Sequence, residues 1–268
     1  MTVKLHIAQN CGPTGRILGK LLTEAGVQLT SGQADAHVCW GAGGAYGEHT
    51  LNARCSSRNK LVELGTLMNA DIETVPVYPM PPEGWTEAAL RYLPYPVLAR
   101  KLQHHGGFDI RYCKNDLRAR RALRAGRQFF TRYIPSTTEF RVWVYRRRHL
   151  GTYEKVLAHP ELKRRMIGRN YKNGYAFQLV REENIPRTAV DLAVRAVDAL
   201  GLDFGAVDVL LGRDGKFYVL ECNSAPGIQS EARQVIQSLA AKIANWVKKG
   251  YPKRRGDDDD SSHTESHT

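Results

Sequence analysis

Residues 206–227, AVDVLLGRDGKFYVLECNSAPG, read as two strands joined by a tight turn. Val, Leu, Phe and Tyr dominate both runs, and GRDG (Gly212–Gly215) between them is turn chemistry, so a hairpin is expected. Alternate side chains of a strand share a face. Glu221 and Asn223 therefore point together, Cys222 points away, and the turn sets Asp208 beside the pair. Two carboxylates and an amide oxygen on neighbouring strands make an all-oxygen donor set, which suits Mg²⁺ or Mn²⁺ rather than zinc. Burying both carboxylates without a cation would be costly. A solvated strand end carries the same residue types, so the set alone leaves both readings open.

The chain on either side alternates strands and helices. Downstream, Val235, Ile236, Leu239, Ile243, Trp246 and Val247 fall on one face of a final helix. Upstream, a helix is expected over Thr188–Leu200, capped by Thr188 with Asp191 and stopped by Gly201. EFRVWVY (Glu139–Tyr145) and LGTYEKV (Leu150–Val156) are strands around an RRRH turn. FFTRYI (Phe129–Ile134) is a strand that follows a basic helix, Asp116–Gly126, and YPVLARKL (Tyr95–Leu102) is another strand. The N-terminal part starts strand–helix–strand: VKLHIA, a helix through Leu18 and Leu22 stopped at Gly26, then Ala36–Trp40. A further helix, capped by Ser57, has its apolar positions at Leu61, Val62, Leu64, Leu67 and Met68. Pro76, Pro79, Pro81 and Pro82 exclude a helix interior or central strand, so a domain connection is expected there. The glycine runs Asn10–Gly15 and Gly41–Gly47 lack the order of a phosphate loop and read as turns.

The 268 residues are 42% hydrophobic and 25% charged, which excludes a disordered, collagen-like or coiled-coil chain. No apolar run is long enough to span a bilayer, and no charged-then-apolar leader opens the sequence. Five cysteines (Cys11, Cys39, Cys55, Cys113, Cys222) at irregular spacing support neither a disulfide frame nor a zinc site, so a reduced, cytoplasmic setting is expected. Net charge is +12, and Asp257–Asp260 with Glu265 put −5 on the tail, leaving +17 on residues 1–256. Such a body favours anionic partners: phosphates, nucleotides, nucleic acid or an acidic protein.

Asp208, then Glu221-x-Asn223 and Ser224-x-Pro226-Gly227, resembles the metal-binding end of the ATP-grasp superfamily, and most nearly the RimK-like glutamate ligases that modify ribosomal protein tails. Further segments match that family in order, from about Ser57 to Gly227. SSRNKLVEL supplies Lys60 near a helix start. YPVLARKLQHHGGFDI supplies Lys101 and a loop with Gly106 and Gly107. TRYIPSTTEFRV supplies Glu139 and Arg141, TYEKV supplies Lys155, and GRNYKNGYAF supplies Arg169, Asn170 and Gly174. At the hinge, where the family commonly carries an acid, this chain has Thr131 and Arg132.

The resemblance implies an α/β protein of the ATP-grasp fold. A small N-terminal α/β domain (1–75) would precede an ATP-grasp domain (76–250) whose two α+β lobes clamp ATP, with a disordered acidic tail (251–268). It implies ATP-dependent carboxylate–amine ligation through an acyl phosphate, with ATP and Mg²⁺ (or Mn²⁺). Lys60, Lys101, Gly106 and Gly107 would meet the nucleotide phosphates, Glu139 the ribose hydroxyls, and Lys155 would also bind ATP. Asp208, Glu221 and Asn223 would hold the metal, and Arg141 and Arg169 would be catalytic, steadying charge on the transferring phosphoryl group and the carboxylate. The substrates would be a carboxylate and an amine, on a small molecule, a peptide or a protein tail. One alternative is an ATP-grasp phosphotransferase that stops at phosphoryl transfer. Another is a nucleic-acid-binding protein on a degenerate fold. Its basis is residues 111–132, where Arg120, Arg124 and Arg127 share a helix face flanked by Tyr112, Phe129 and Phe130.

Overall fold

The computed structural model describes residues 2–8, 13–44, 46–54, 59–103, 109–162, 168–170, 173–227 and 233–252. The tail beyond Pro252, Gly106 and Gly107, and Ser57 lie outside them. Three sheets are built in chain order.

The first sheet holds β1 (Thr2–Ile7), β2 (Gln28–Leu29), β3 (Ala36–Trp40) and β4 (Thr50–Leu51) in the order β2-β1-β3-β4, all parallel. Helix α1 (Thr14–Glu24) makes the crossover from β1 to β2 and buries Leu18 and Leu22. Then come α2 (Lys60–Asn69), β5 (Val77–Tyr78), α3 (Glu87–Arg91), β6 (Val97–Arg100), β7 (Arg111–Cys113), α4 (Asp116–Arg124) and β8 (Phe129–Arg132). The strands of this stretch form an antiparallel sheet, β5-β8-β6-β7. The proline-rich connection thus includes a two-residue strand, and it lies at the sheet edge, where a missing N–H is tolerated. The third sheet is antiparallel, β11-β10-β9-β12-β13. Its strands are β9 (Ser136–Tyr145), β10 (Arg148–Leu157), β11 (Tyr175–Leu179), β12 (Phe204–Gly212) and β13 (Phe217–Asn223). Helix α5 (Arg187–Ala199) precedes β12, and α6 (Arg233–Lys248) follows β13.

The period-2 pattern of the third sheet separates its two faces. Val142, Val144, Val207, Val209, Val219 and Cys222 pack with α5 and with Leu67 and Ile72. Helix α2 therefore shares its core with α5 and β13. On the opposite face, Trp143, Tyr145, Tyr153, Phe204 and Ala206 pack with α6 and the first sheet. All six apolar residues expected on the final helix are buried there. The same face of β9 continues from Tyr145 and Trp143 to Arg141 and Glu139, and that of β12 from Phe204 and Ala206 to Asp208. One end of the face is a dry core and the other is polar. Asn52 stitches the first sheet to this one: its Oδ1 accepts from the N–H of Asp203 (2.7 Å) and Phe204 (3.0 Å), and its Nδ2 donates to the Phe204 carbonyl (2.9 Å).

Several local details differ from the sequence pattern. Asn59 caps α2, its Oδ1 accepting from the N–H groups of Leu61 (3.0 Å) and Val62 (3.4 Å). Val62 and Met68 of that helix are exposed, since only the Leu64–Leu67 side meets the core. Helix α5 starts at Arg187 behind Pro186 with no side-chain cap, so Thr188 and Asp191 lie inside it. The β9–β10 turn is Arg146–Arg147 alone, both at positive φ (43° and 61°), the backbone a two-residue hairpin loop requires. Both arginines of this turn have acidic partners. Arg146 pairs with Asp203 (3.2 Å) and lies over Trp246, and Arg147 pairs with Asp198 (2.7 Å). No helix among the described residues is long and apolar enough to cross a membrane.

Candidate active site

Strand register brings the sequence-selected polar residues together. Asp208 of β12 lies opposite Glu221 of β13 on one side and Arg141 of β9 on the other. Arg141 grips Asp208 in a two-pronged ion pair, Nε to Oδ1 at 2.7 Å and Nη2 to Oδ2 at 2.9 Å. Its third nitrogen, Nη1, donates to the Gly227 carbonyl at 3.3 Å, and its guanidinium lies 4.7 Å over the Phe177 ring. Lys155 of β10 donates to Asp208 Oδ2 at 2.7 Å and also to Glu139. Asn223 Nδ2 donates to Glu221 Oε1 at 3.1 Å, as expected of two residues on one face.

A second ion cluster closes the far side. Lys60, the first residue of α2, reaches Glu63 Oε2 at 3.0 Å and Glu221 Oε2 at 3.3 Å. The other oxygen of Glu63 accepts the N–H of Cys222 at 2.7 Å, tying the helix to β13. Glu63 is fully buried, while Glu221 keeps a quarter of its side chain exposed.

Charge pairing here outweighs burial for some groups and not for others. Burial would raise the Asp208 carboxyl, but Arg141 and Lys155 hold it below the usual range. Burial would raise Glu221 too, yet Lys60, Lys155 and the Asn223 hydrogen bond push it well below normal. Glu139 goes the other way: burial, helped by the Asp208 charge, prevails over Lys155. Burial likewise raises Glu63 despite Lys60. Burial would lower Lys60, but Glu221 and Glu63 raise it, so it stays charged.

The second sheet places two neighbouring cations, Arg100 and Lys101, in different surroundings. On β6, Val97 and Ala99 pack into the core with Phe130, Ala119 and Ala122. Alternation sends Leu98 and Arg100 to the other face, where Arg100 is buried, lies 5.7 Å over Phe129 and feels the charges of Glu221 and Glu63. Lys101 sits at the strand end, over a third exposed, paired with Asp109 at 3.3 Å. Counting Pro-hydrophobic-x-x-Lys strictly from Pro96 lands on Arg100. Glu63 carries no sequence signal of its own, because a helical Glu three residues after a Lys is ordinarily a surface pair.

Arg169 lies against the start of β9, donating to Ser136 Oγ at 3.0 Å. Gly174 has φ +81°, and an added Cβ would lie 2.0 Å from the His159 carbonyl oxygen, so only glycine fits. At the hinge, Thr131 is fully buried and its Oγ1 has no hydrogen-bond partner among the described residues, and Arg132 is exposed.

The basic segment is less of a stripe than its sequence suggests. Arg127 is buried on the carbonyls of Asp109 (2.9 Å) and Ala125 (2.7 Å), and Arg120 pairs with Glu87 and Asp116. Phe129 and Phe130 are core residues. Arg111, Lys114, Arg118, Arg121 and Arg124 are exposed.

Among the described residues, no three His, Cys, Asp or Glu side chains converge into a metal centre by themselves. Asp208, Glu221 and Asn223 nevertheless form a compact oxygen-rich set beside four cations. Such a set fits Mg²⁺, which binds few protein ligands and completes its shell with water and phosphate oxygens.

A family model for the RimK-like ATP-grasp domain matches residues 90–247, more than half of the chain. A search of curated protein sequences finds no match. Among solved structures, the D-alanine–D-alanine ligase of Bacillus anthracis complexed with ATP is similar with a TM-score of 0.66 at 13% identity, over 93% of this chain and 98% of that one. A RimK domain ATP-grasp protein from Sphaerobacter thermophilus is similar with a TM-score of 0.64 at 18% identity, over 92% and 99% of the two chains. The ATP-grasp ligase PsnB complexed with a minimal precursor is similar with a TM-score of 0.64 at 13% identity, over 92% and 98%. The residue constellation, the fold and the family match agree: the chain belongs to the RimK-like ATP-grasp family of ATP-dependent carboxylate–amine ligases, which work with ATP and magnesium.

Proposed function

We propose that this ligase activates a carboxylate and joins it to the amine of an anionic peptide or protein tail, with the polar end of the third sheet as its reaction site. The observation that carries this reading is the convergence of Arg141, Lys155, Asp208, Glu139, Glu221 and Asn223 on one face, with Lys60 at its rim. Asp208, Glu221 and Asn223 hold the metal, which when bound supplies charge neutralisation for phosphate oxygens. Lys60, Lys155 and Arg100 offer cations to the nucleotide phosphates, and Glu139 takes the ribose hydroxyls. Arg141 and Arg169 orient the carboxylate and its activated form, a task suited to planar guanidinium forks.

The acceptor class rests on charge. The row Arg118, Arg121 and Arg124, with Arg111 and Lys114, is exposed on a body of net charge +17 before the acidic tail. The fold likeness to a ligase complexed with its precursor peptide adds support. Nucleic acid is the competing anion for this surface.

The test is Mg²⁺-dependent ADP release with hydroxylamine present, across pools of amino acids and acidic peptides. Hydroxamate formation with one carboxylate, and amide formation when an acidic peptide replaces hydroxylamine, are the expected results. ADP release without hydroxamate, with the phosphoryl group recovered on an acceptor from the pool, would make the enzyme a phosphotransferase. Retention on RNA that fades steeply with salt, with no turnover, would move the basic row to nucleic acid.

The face assignment of β6 makes a separate prediction. Arg100→Gln is expected to raise the KM for ATP by about tenfold or more, the scale of losing one charge-assisted phosphate contact, whereas Lys101→Gln stays within about twofold. Steady-state kinetics of the two variants decides between the positions.

A further inference from the structure

We propose that Glu63 is a positioning residue that sets how readily the site takes up metal, by sharing the Lys60 ammonium with Glu221. The inference rests on the reading above that Glu221 is a metal ligand. Lys60 Nζ lies between two carboxylates, 3.0 Å from Glu63 and 3.3 Å from Glu221. Of the two carboxylates, Glu221 keeps part of its side chain exposed, whereas Glu63 is fully buried beneath the ammonium. Glu63 is locked on its other side by the Cys222 N–H at 2.7 Å, in the residue adjacent to Glu221.

Charge counting shows what this arrangement does. Lys60, Arg100, Glu63 and Glu221 bring two basic groups and two carboxyl groups together, and of the two carboxyl groups Glu221 alone keeps part of its side chain exposed. A metal ion that takes Glu221 must pull it from Lys60. With Glu63 ionised, Lys60 keeps a carboxylate partner when Glu221 leaves, so no buried ammonium is stranded. Without the Glu63 charge, Glu221 becomes the one carboxylate among the described residues within ion-pair distance of Lys60 and is held against the incoming metal. The Cys222 hydrogen bond fixes the geometry of this exchange, because it registers helix α2 against the strand that carries both Glu221 and Asn223.

The residue pair separates this role from a merely structural one. Gln at position 63 keeps an oxygen for the Cys222 N–H and replaces the carboxylate oxygen that faces Lys60 with an uncharged NH2 group. Titration with Mn²⁺ alone, followed by the electron paramagnetic resonance signal of the free ion, reads metal affinity directly and needs no turnover. Glu63→Gln is expected to weaken Mn²⁺ binding by about tenfold, the usual scale for groups that orient metal ligands. In a Lys60→Met background the same substitution should change Mn²⁺ affinity by less than about twofold, because the shared ammonium is gone. An equal loss in both backgrounds, or none in either, overturns the proposal. If Glu63→Gln does not fold, Lys60→Met alone decides the matter: it should tighten Mn²⁺ binding by freeing Glu221, and a weaker or unchanged affinity overturns the proposal. No Mn²⁺ binding by the wild type would instead overturn the metal-site assignment on which this stands.

Discussion

Glu221→Gln is expected to lower Mg²⁺-dependent ADP release by about 10³-fold while leaving the fold in place, the scale of removing a preorganised electrostatic contact from a reaction site. Lys60, Lys155 and the Asn223 amide keep Glu221 ionised well below neutral pH. It therefore offers a full negative charge to a cation at working pH, and the isosteric amide offers none. The substitution leaves the Asn223 Nδ2 an oxygen to donate to, and Lys60 retains Glu63 at 3.0 Å. ADP release and the thermal midpoint, measured on the same preparation, separate the two effects. Turnover near wild type would remove Glu221 from the metal set. A collapse of the thermal midpoint would show that its role is to neutralise Lys60 and Arg100.

Asp208→Asn is expected to reduce stability by about 3–5 kcal/mol, the typical cost of stranding buried charges. Asp208 is almost fully buried and is the shared anion of Arg141 and Lys155. An amide leaves Lys155 with Glu139 and leaves Arg141 with no carboxylate within ion-pair distance among the described residues. Since domains are stable by only about 5–15 kcal/mol, urea denaturation will resolve the change. Its pH dependence has a definite sign. The folded-state value for Asp208 lies below its ordinary 3.8, so its contribution is fully present above 3.8 and is lost as pH falls through the lower folded value. Asp208→Asn should therefore flatten the acid limb of the stability curve below about pH 4 as well as lower the plateau. Glu139 acts with opposite sign. Its raised value means that the fold prefers its protonated form, and that preference fades as pH rises past the ordinary 4.5 through the folded value. A variant as stable as wild type near neutral pH would show that Arg141 and Lys155 find other partners.

Much of this arrangement is written in strand periodicity. The alternation of β12 and β13 predicts that Glu221 and Asn223 share a face and that Asp208 stands beside them, and the register bears this out. The buried face of α6 is legible for the same reason, its apolar residues recurring at helical spacing. Helix ends are less so. Ser57, Asn59 and Thr188 are all competent caps, and Asn59 is the one seen to bond the start of α2, while α5 begins without a cap. The basic segment misleads because charge density says nothing about pairing: Arg120 and Arg127 meet partners 33 and 18 residues away in the chain.

By itself, then, the sequence determined the α/β architecture, the hairpin that carries Asp208, Glu221 and Asn223, and the ordered set of residues that points to the ATP-grasp family. These follow from periodicity, turn chemistry and order along the chain, which are local properties. Tertiary structure alone decided that Arg100 is buried over Phe129 while Lys101 pairs with Asp109, that Glu63 lies buried under Lys60, and that Arg141 and Lys155 share Asp208. A four-residue strand has two faces, and its own sequence does not say which of them meets a neighbouring sheet. An ion pair, likewise, is chosen by which charges folding brings within a few ångströms and away from water.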